Sequence, residues 1–270
     1  MTVHESCANE DAAHGASWAS HVDEWAGADA LVVGNGPSRS GQDVRVARHA
    51  GPVVLCNAAW RTVPVAAFDV VVACFDGPQV PAASDYCLER GARLLVPQQC
   101  DGDRPRLYAA VRGALDPALR RGLLLVAKPH RALVRAADLD AAPAWWPTSC
   151  AVGNFAGMLA FQLALLAGAA RIGLLGIDCA GLVDATDRAP TKLQRVTQSA
   201  VSAGTPGYGA GIATVGATIP VEDAPGWRQD AGQVEAADLW RALVRVARRR
   251  GVEVYRAAPG GALTDLPVVP

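Results

Sequence analysis

The chain has 270 residues, 51% of them apolar, and carries 25 Lys+Arg against 26 Asp+Glu for a formal charge of -1. That length suits one large α/β domain, or a domain with an appendage, and the balanced charge argues against general nucleic-acid binding, which needs excess cationic side chains to displace phosphate counterions. No apolar run reaches the ~18 residues of a membrane span; the longest, residues 155–170, is broken by Gln162, Gly157 and Gly168.

Residues 1–27 are polar and rich in small side chains, and read as a loose start with a short helix over 16–26. A rhythm of short apolar runs follows. Residues 30–33 end in Gly34-Asn35-Gly36-Pro37-Ser38, residues 52–56 end at Asn57, and residues 68–74 lead to Asp76-Gly77. Runs at 93–96 and 123–126 come next, then 171–175 ending in Gly176-Ile177-Asp178, and finally 252–255. These runs are β-branched or leucine-rich and mostly do not alternate, which is how strands covered on both faces read.

Two helices stand out between the runs. Residues 154–169 are apolar nearly all round, so that helix should be buried. In 234–250, Ala237, Trp240, Val244 and Ala247 share a face. Glu235 and Asp238 lie near its start and Arg248 to Arg250 at its end, matching the helix dipole, and Gly251 stops it. Strands alternating with helices predict a doubly wound, mostly parallel α/β sheet of Rossmann-like type. The expected organisation is a loose segment 1–27, a nucleotide-binding core 28–180, a lid or insertion 181–232, and a final helix and strand over 233–270 that complete the core. The 181–232 stretch is rich in Gly, Ala, Thr and Pro and has little periodicity, which is why it reads as a lid.

The seven cysteines (Cys7, Cys56, Cys74, Cys87, Cys100, Cys150 and Cys179) are odd in number and form no C-x-x-C pair. They read as reduced, buried thiols. Of five histidines three lie in the first 21 residues, so a histidine-based metal cluster is not expected. No basic segment followed by an apolar core opens the chain, so no signal peptide and a cytoplasmic location are expected.

In an open parallel sheet ligands bind beyond the carboxyl ends of the strands, and polar residues recur there. Gly34 to Ser38 follow the first run, Asn57 and Trp60 the second, Asp76 and Gly77 the third, Lys128 and His130 the fifth, and Asp178 and Gly181 the sixth. The two glycines of the first turn allow a ligand close to the backbone, with N–H groups available to phosphate. The turn is neither G-x-G-x-x-G nor a P-loop, and an ordinary strand-to-helix turn reads the same way. Thr148-Ser149-Cys150 precedes the buried helix; Ser149 is either a plain N-cap or the edge of an anion site. Asp76 and Asp178 could ligate Mg²⁺, bond a ribose hydroxyl, act as general base, or cap the next helix. His130 and Lys128 are candidates for phosphate contact or for plain surface roles. Trp145-Trp146 suits stacking or packing, and Arg241, Arg245, Arg248, Arg249 and Arg250 suit a solvated helix face.

The motifs Val32-Val33-Gly34-Asn35-Gly36-Pro37-Ser38, Cys56-Asn57, Thr148-Ser149 and Leu175-Gly176-Ile177-Asp178 stand in an order that resembles the bacterial sialyltransferases of glycosyltransferase family 42. The group around the archaeal 6-hydroxymethylpterin diphosphokinase shares this frame, as do uncharacterised bacterial and phage proteins. The resemblance spans about residues 30–180 and 234–265. It implies a nucleotide-dependent transferase, in first place a glycosyltransferase using a CMP- or UDP-linked sugar as donor. The alternatives are Mg²⁺-dependent, diphosphokinase-like transfer from ATP and a non-catalytic nucleotide-binding module. By the same resemblance Gly34, Asn35, Gly36 and Ser38 hold the donor's phosphates and ribose, Asn57 contacts the nucleotide, and Thr148 and Ser149 line its pocket. Asp76 stands near the donor sugar, where the sialyltransferases have asparagine, and leans toward a metal-bound phosphate. Asp178 matches the aspartate of the Gly-Ile-Asp turn. The family's lid histidine has no counterpart, since no histidine follows His130. The acceptor's base would then be a carboxylate such as Asp178, Asp184 or Asp187, and any metal would sit on Asp76 and Asp178. The expected partners are a small-molecule donor, an acceptor the sequence does not name, and a second copy of the chain.

Overall fold

The computed structural model of the chain describes residues 16–61, 70–73, 80–97, 105–127, 156–183, 193–194, 219–222, 225–229 and 231–269. Strands β1 (Ala16–Ser17), β2 (Asp29–Val33), β3 (Val53–Cys56), β4 (Val70–Ala73), β5 (Arg93–Pro97), β6 (Leu124–Ala127), β7 (Arg171–Leu175) and β12 (Glu253–Arg256) form one sheet. Between β7 and β12 come β8 (Gly181–Val183), β9 (Leu193–Gln194), β10 (Ile219–Pro220) and β11 (Trp227–Gln229). The helices are α1 (Asp43–Arg48), α2 (Val80–Arg90), α3 (Pro105–Arg120), α4 (Ala156–Leu166) and α5 (Ala231–Arg249).

The main sheet has the order β1-β6-β5-β4-β3-β2-β7-β12, and every pairing in it is parallel. Its strands are apolar at consecutive positions because both faces are covered. Val32, Val54, Val71, Leu95 and Leu125 pack toward α4 and α5. Their neighbours Leu31, Leu55, Val72, Leu94 and Leu124 pack toward Val46 of α1, Ala83 of α2 and Leu115 of α3. Each of these side chains contributes roughly 1.5–3 kcal/mol by leaving water, so a sheet this thoroughly covered has a strong reason to hold its register.

α4 is buried along its whole length. Its one polar side chain, Gln162, donates through Nε2 to the Met158 carbonyl at 2.9 Å, which satisfies an amide that burial would otherwise penalise. Phe161 meets Trp240 of α5 edge-on, ring centroids 5.4 Å apart, clamping the two helices together on that face. At the amino ends of the strands, Arg171 pairs with Asp29 and Glu253 at 3.0 Å each, and Tyr255 donates to Asp29 at 2.9 Å, tying β2, β7 and β12.

Two expectations change. Residues 16–26 do not form a helix: Ala16–Ser17 pair in parallel with β6, and a single 3-10 turn, Trp18–His21, follows. Residues 181–232 are not without regular structure: β8 to β11 build a second, antiparallel sheet in the order β10-β11-β8-β9. Gln229 of that sheet donates to the Cys179 carbonyl at 2.8 Å, and Trp227 packs against Gly260, so the small sheet is fastened to the main one. The run predicted over 68–74 is a strand at Val70–Ala73, and its flanks lie outside the described residues.

Strand order fixes where a ligand would go. From β2 the chain proceeds through β3, β4, β5 and β6 to one side; β7 and β12 lie on the other. The order therefore reverses between β2 and β7, and the carboxyl ends of those two strands open onto the crevice where doubly wound folds bind ligands.

Candidate functional site

Beyond Val33 and Leu175 the chain leaves the sheet, but the ladder continues. The Gly34 N–H donates to the Leu175 carbonyl at 2.7 Å and the Gly36 N–H to the Gly176 carbonyl at 2.8 Å. The Ser38 N–H donates to Asp178 Oδ2 at 2.9 Å, and Ser38 Oγ donates to Asp178 Oδ1. Ser38 Oγ in turn accepts the Gly176 N–H at 3.2 Å. The turns after β2 and β7 are thus laced together along their length.

The glycines follow from this lacing. A Cβ on Gly34 would stand 2.4 Å from the Gly176 carbonyl oxygen, and one on Gly36 would stand 2.3 Å from Asp178 Oδ2. Gly176 adopts φ +66°, a left-handed conformation that glycine takes without strain. The expectation that the N–H groups of Gly34, Gly36 and Ser38 face a phosphate is therefore corrected. They sit at every second position and point sideways into the neighbouring turn, as the N–H groups of a strand do.

Asp178 is 6% exposed. Gly36 and Ser38 enclose its side chain, Gly261 crowds its backbone, and its carbonyl accepts the Ala262 N–H at 2.7 Å. Burial pushes its carboxyl up to about 6, while the two hydrogen bonds from Ser38 and the charge of Arg256 pull the other way. Both carboxylate oxygens accept from Ser38, one from its N–H and one from its hydroxyl. Among the described residues no cluster of three or more His, Cys, Asp or Glu side chains could hold a metal. Asp76, the other carboxylate on which any Mg²⁺ would sit, lies outside the described residues.

Asn35 points the other way along the sheet. Its Nδ2 donates to the Cys56 carbonyl at 3.2 Å, and its Oδ1 accepts from Arg39 Nη1 at 3.4 Å. Asn57, next after Cys56, takes φ +50°, a left-handed conformation that asparagine tolerates better than most residues, and opens a 3-10 turn over Asn57–Arg61. That turn carries Trp60, whose ring lies 5.1 Å from Tyr86 and beneath the Arg61 guanidinium, also at 5.1 Å.

Gly34, Asn35, Gly36, Ser38 and Asp178 therefore form one hydrogen-bonded group at the ends of β2 and β7, joined through Asn35 to the end of β3, where Asn57 stands. Asp76, Gly77, Lys128, His130, Trp145, Trp146, Thr148, Ser149, Asp184 and Asp187 lie outside the described residues. Sequence reasoning missed two contributors. Arg39, 5% exposed, bears on Asn35; a cation directly after Ser38 was the available signal. Arg256 donates to the carbonyls of Leu266, Gly260 and Thr264 at 3.1, 3.1 and 3.5 Å, shaping the loop that packs on Asp178; its only signal was the Gly260-Gly261 pair downstream. Burial raises the thiols of Cys56 and Cys179 well above their ordinary value, which makes them poor nucleophiles.

A separate open cleft of about 660 Å³ runs between α1 and the chain after β12, lined by Val44, Arg45, Arg48, Ala257, Pro259 and Val268 among others. It includes none of the predicted site residues. No helix among the described residues is long and apolar enough to cross a membrane.

No family model and no curated protein matches the chain. Among solved structures it is similar to the MAf glycosyltransferase from Magnetospirillum magneticum AMB-1, with a TM-score of 0.52 and 15% identity. The match covers 93% of this chain and 37% of that one, so this chain spans little more than a third of the glycosyltransferase's length. The likeness is one of fold.

Proposed function

We propose that the protein is a nucleotide-dependent transferase, in particular a glycosyltransferase that uses a nucleotide-linked sugar as donor. The observation that carries this reading is the convergence of three adjacent strand ends, β3, β2 and β7, on the switch-point crevice of a fold shared with a glycosyltransferase.

In this reading the donor lies across the ends of β2 and β3. Asn35 supplies an amide to the anionic part of the nucleotide, the buried Arg39 guanidinium behind it adds positive charge, and Asn57 contacts the nucleoside. The Thr148-Ser149 segment adds a second anion contact. The acceptor's hydroxyl attacks the anomeric carbon; the new C–O bond forms as the bond to the phosphate oxygen breaks, and an aspartate such as Asp184 or Asp187 takes the hydroxyl proton. Stabilising the departing phosphate is the term that accelerates transfer most, since negative charge develops there. The 181–232 segment covers the donor and excludes water. Diphosphokinase-like transfer has less support, because the fold is shared with a glycosyltransferase.

The test is incubation with CMP-, UDP- and GDP-sugars, following both turnover and thermal stabilisation. A ligand at about 100 times its Kd adds roughly 2.7 kcal/mol of stability. Sugar release or transfer with one nucleotide class, together with stabilisation by that nucleotide, supports the reading. No stabilisation and no turnover with any of them removes it.

A further inference from the structure

We infer that Ser38 and Asp178 form a clasp that sets the shape of the β2 turn, so that Asp178 is a positioning residue and not the base that accepts the acceptor's proton. Four observations carry this. Both oxygens of the carboxylate are engaged by a single residue, one by the Ser38 N–H and one by its hydroxyl. The same hydroxyl takes the Gly176 N–H, so one side chain closes the loop between the two turns. Gly36 has no side chain at the point where Asp178 Oδ2 would meet it at 2.3 Å. And Asp178 is itself held from behind, by the Ala262 N–H on its carbonyl and by Gly261, on which a Cβ would stand 2.8 Å from the Asp178 Cα, in a loop that Arg256 pins by three carbonyls.

The consequence is a mechanical line from the last loop of the chain through Asp178 and Ser38 to the segment bearing Asn35 and Arg39. A carboxylate 6% exposed and doubly bonded reaches an acceptor hydroxyl only if the clasp opens, and opening it releases the residues that would hold the donor. A neutral amide preserves the geometry: asparagine accepts the Ser38 N–H through Oδ1 and donates to Ser38 Oγ through Nδ2. A base has no such substitute.

This rests on the proposed transferase reading for its kinetic arm, and on amide exchange alone for its structural arm. Wild type, Asp178→Ala, Asp178→Asn and Ser38→Ala are compared by hydrogen exchange and by kcat and KM with the sugar nucleotide the wild type uses. Losing a charge-assisted hydrogen bond predicts an effect on the order of tenfold or more. Asp178→Ala should speed exchange at Ser38 and Gly176 and raise the KM for the donor by that factor. Asp178→Asn should restore most of both, and Ser38→Ala should expose the Gly176 amide. If Asp178→Ala does not fold, Ser38→Ala carries the comparison with Asp178→Asn. A hundredfold fall in kcat for Asp178→Asn at unchanged KM identifies a base and overturns the proposal. So does unchanged exchange at Ser38 and Gly176 in Asp178→Ala, or at Gly176 in Ser38→Ala. A wild type that binds no nucleotide defeats the transferase reading, and exchange still decides the clasp.

Discussion

Gly36 and Asp178 stand 142 positions apart in sequence, yet a single Cβ on the glycine would lie 2.3 Å from the aspartate's Oδ2. The Gly36 backbone has φ -71°, which any residue adopts, so the glycine is required by its neighbour and not by its own conformation. Gly36→Ala should therefore destabilise the fold through crowding, by about 1–3 kcal/mol. In an Asp178→Ala background the cost should shrink without vanishing, because the Gly176 carbonyl oxygen remains 2.7 Å away. Urea denaturation of the four proteins in this cycle gives the coupling directly.

The raised carboxyl of Asp178 makes stability depend on pH. Its folded value, about 6, lies above the ordinary 3.8, so the folded chain binds the proton more tightly than the unfolded one. That contribution is fully present below about pH 4, is lost as pH rises toward 6, and is flat above. The expected loss is on the order of 2–3 kcal/mol. Subtracting the stability profile of Asp178→Asn from that of wild type isolates it; a difference that is level between pH 4 and 6, or that rises, contradicts the assignment.

Asn35 donates to a carbonyl, so its isosteric acid reverses the contact. Asn35→Asp places a carboxylate oxygen against the Cys56 carbonyl and should cost about 1–3 kcal/mol. It should also weaken nucleotide binding more than Asn35→Ala does, by repelling the phosphate. Isothermal titration with the nucleotide that stabilises the wild type ranks the three proteins.

Phe161 is completely buried against Trp240. Phe161→Ala should cost about 3–5 kcal/mol and leave nucleotide affinity unchanged at a temperature where the variant remains folded. Parallel melts and titrations separate the two effects, and a change in affinity without unfolding would mean that α4 is coupled to the crevice.

Much of this was legible in the sequence, for identifiable reasons. The strand Arg171–Leu175 and the strand Val53–Cys56 read clearly because burial on both faces leaves an uninterrupted apolar run. α2 did not, because beyond Val80 the face it buries carries only the small Ala83, Ser84 and Cys87. The small sheet was invisible because its strands are two or three residues long, too short for any period to register. At the site, the residues were legible and their orientation was not. Nothing in Gly34 to Ser38 states that alternate N–H groups turn toward residues 175–178, since the partner is fixed by the pairing of β2 with β7 and not by local sequence.

The central claim is that the ends of β2 and β3 bind a nucleotide, and backbone amide shifts in an NMR titration test it most directly. With CMP, UDP or GDP added to the full chain, the largest shifts are expected at Asn35, Gly36, Arg39 and Asn57. Shifts confined to Val44, Arg48 and Val268 in the cleft beside α1, or no shifts at millimolar nucleotide, would contradict it.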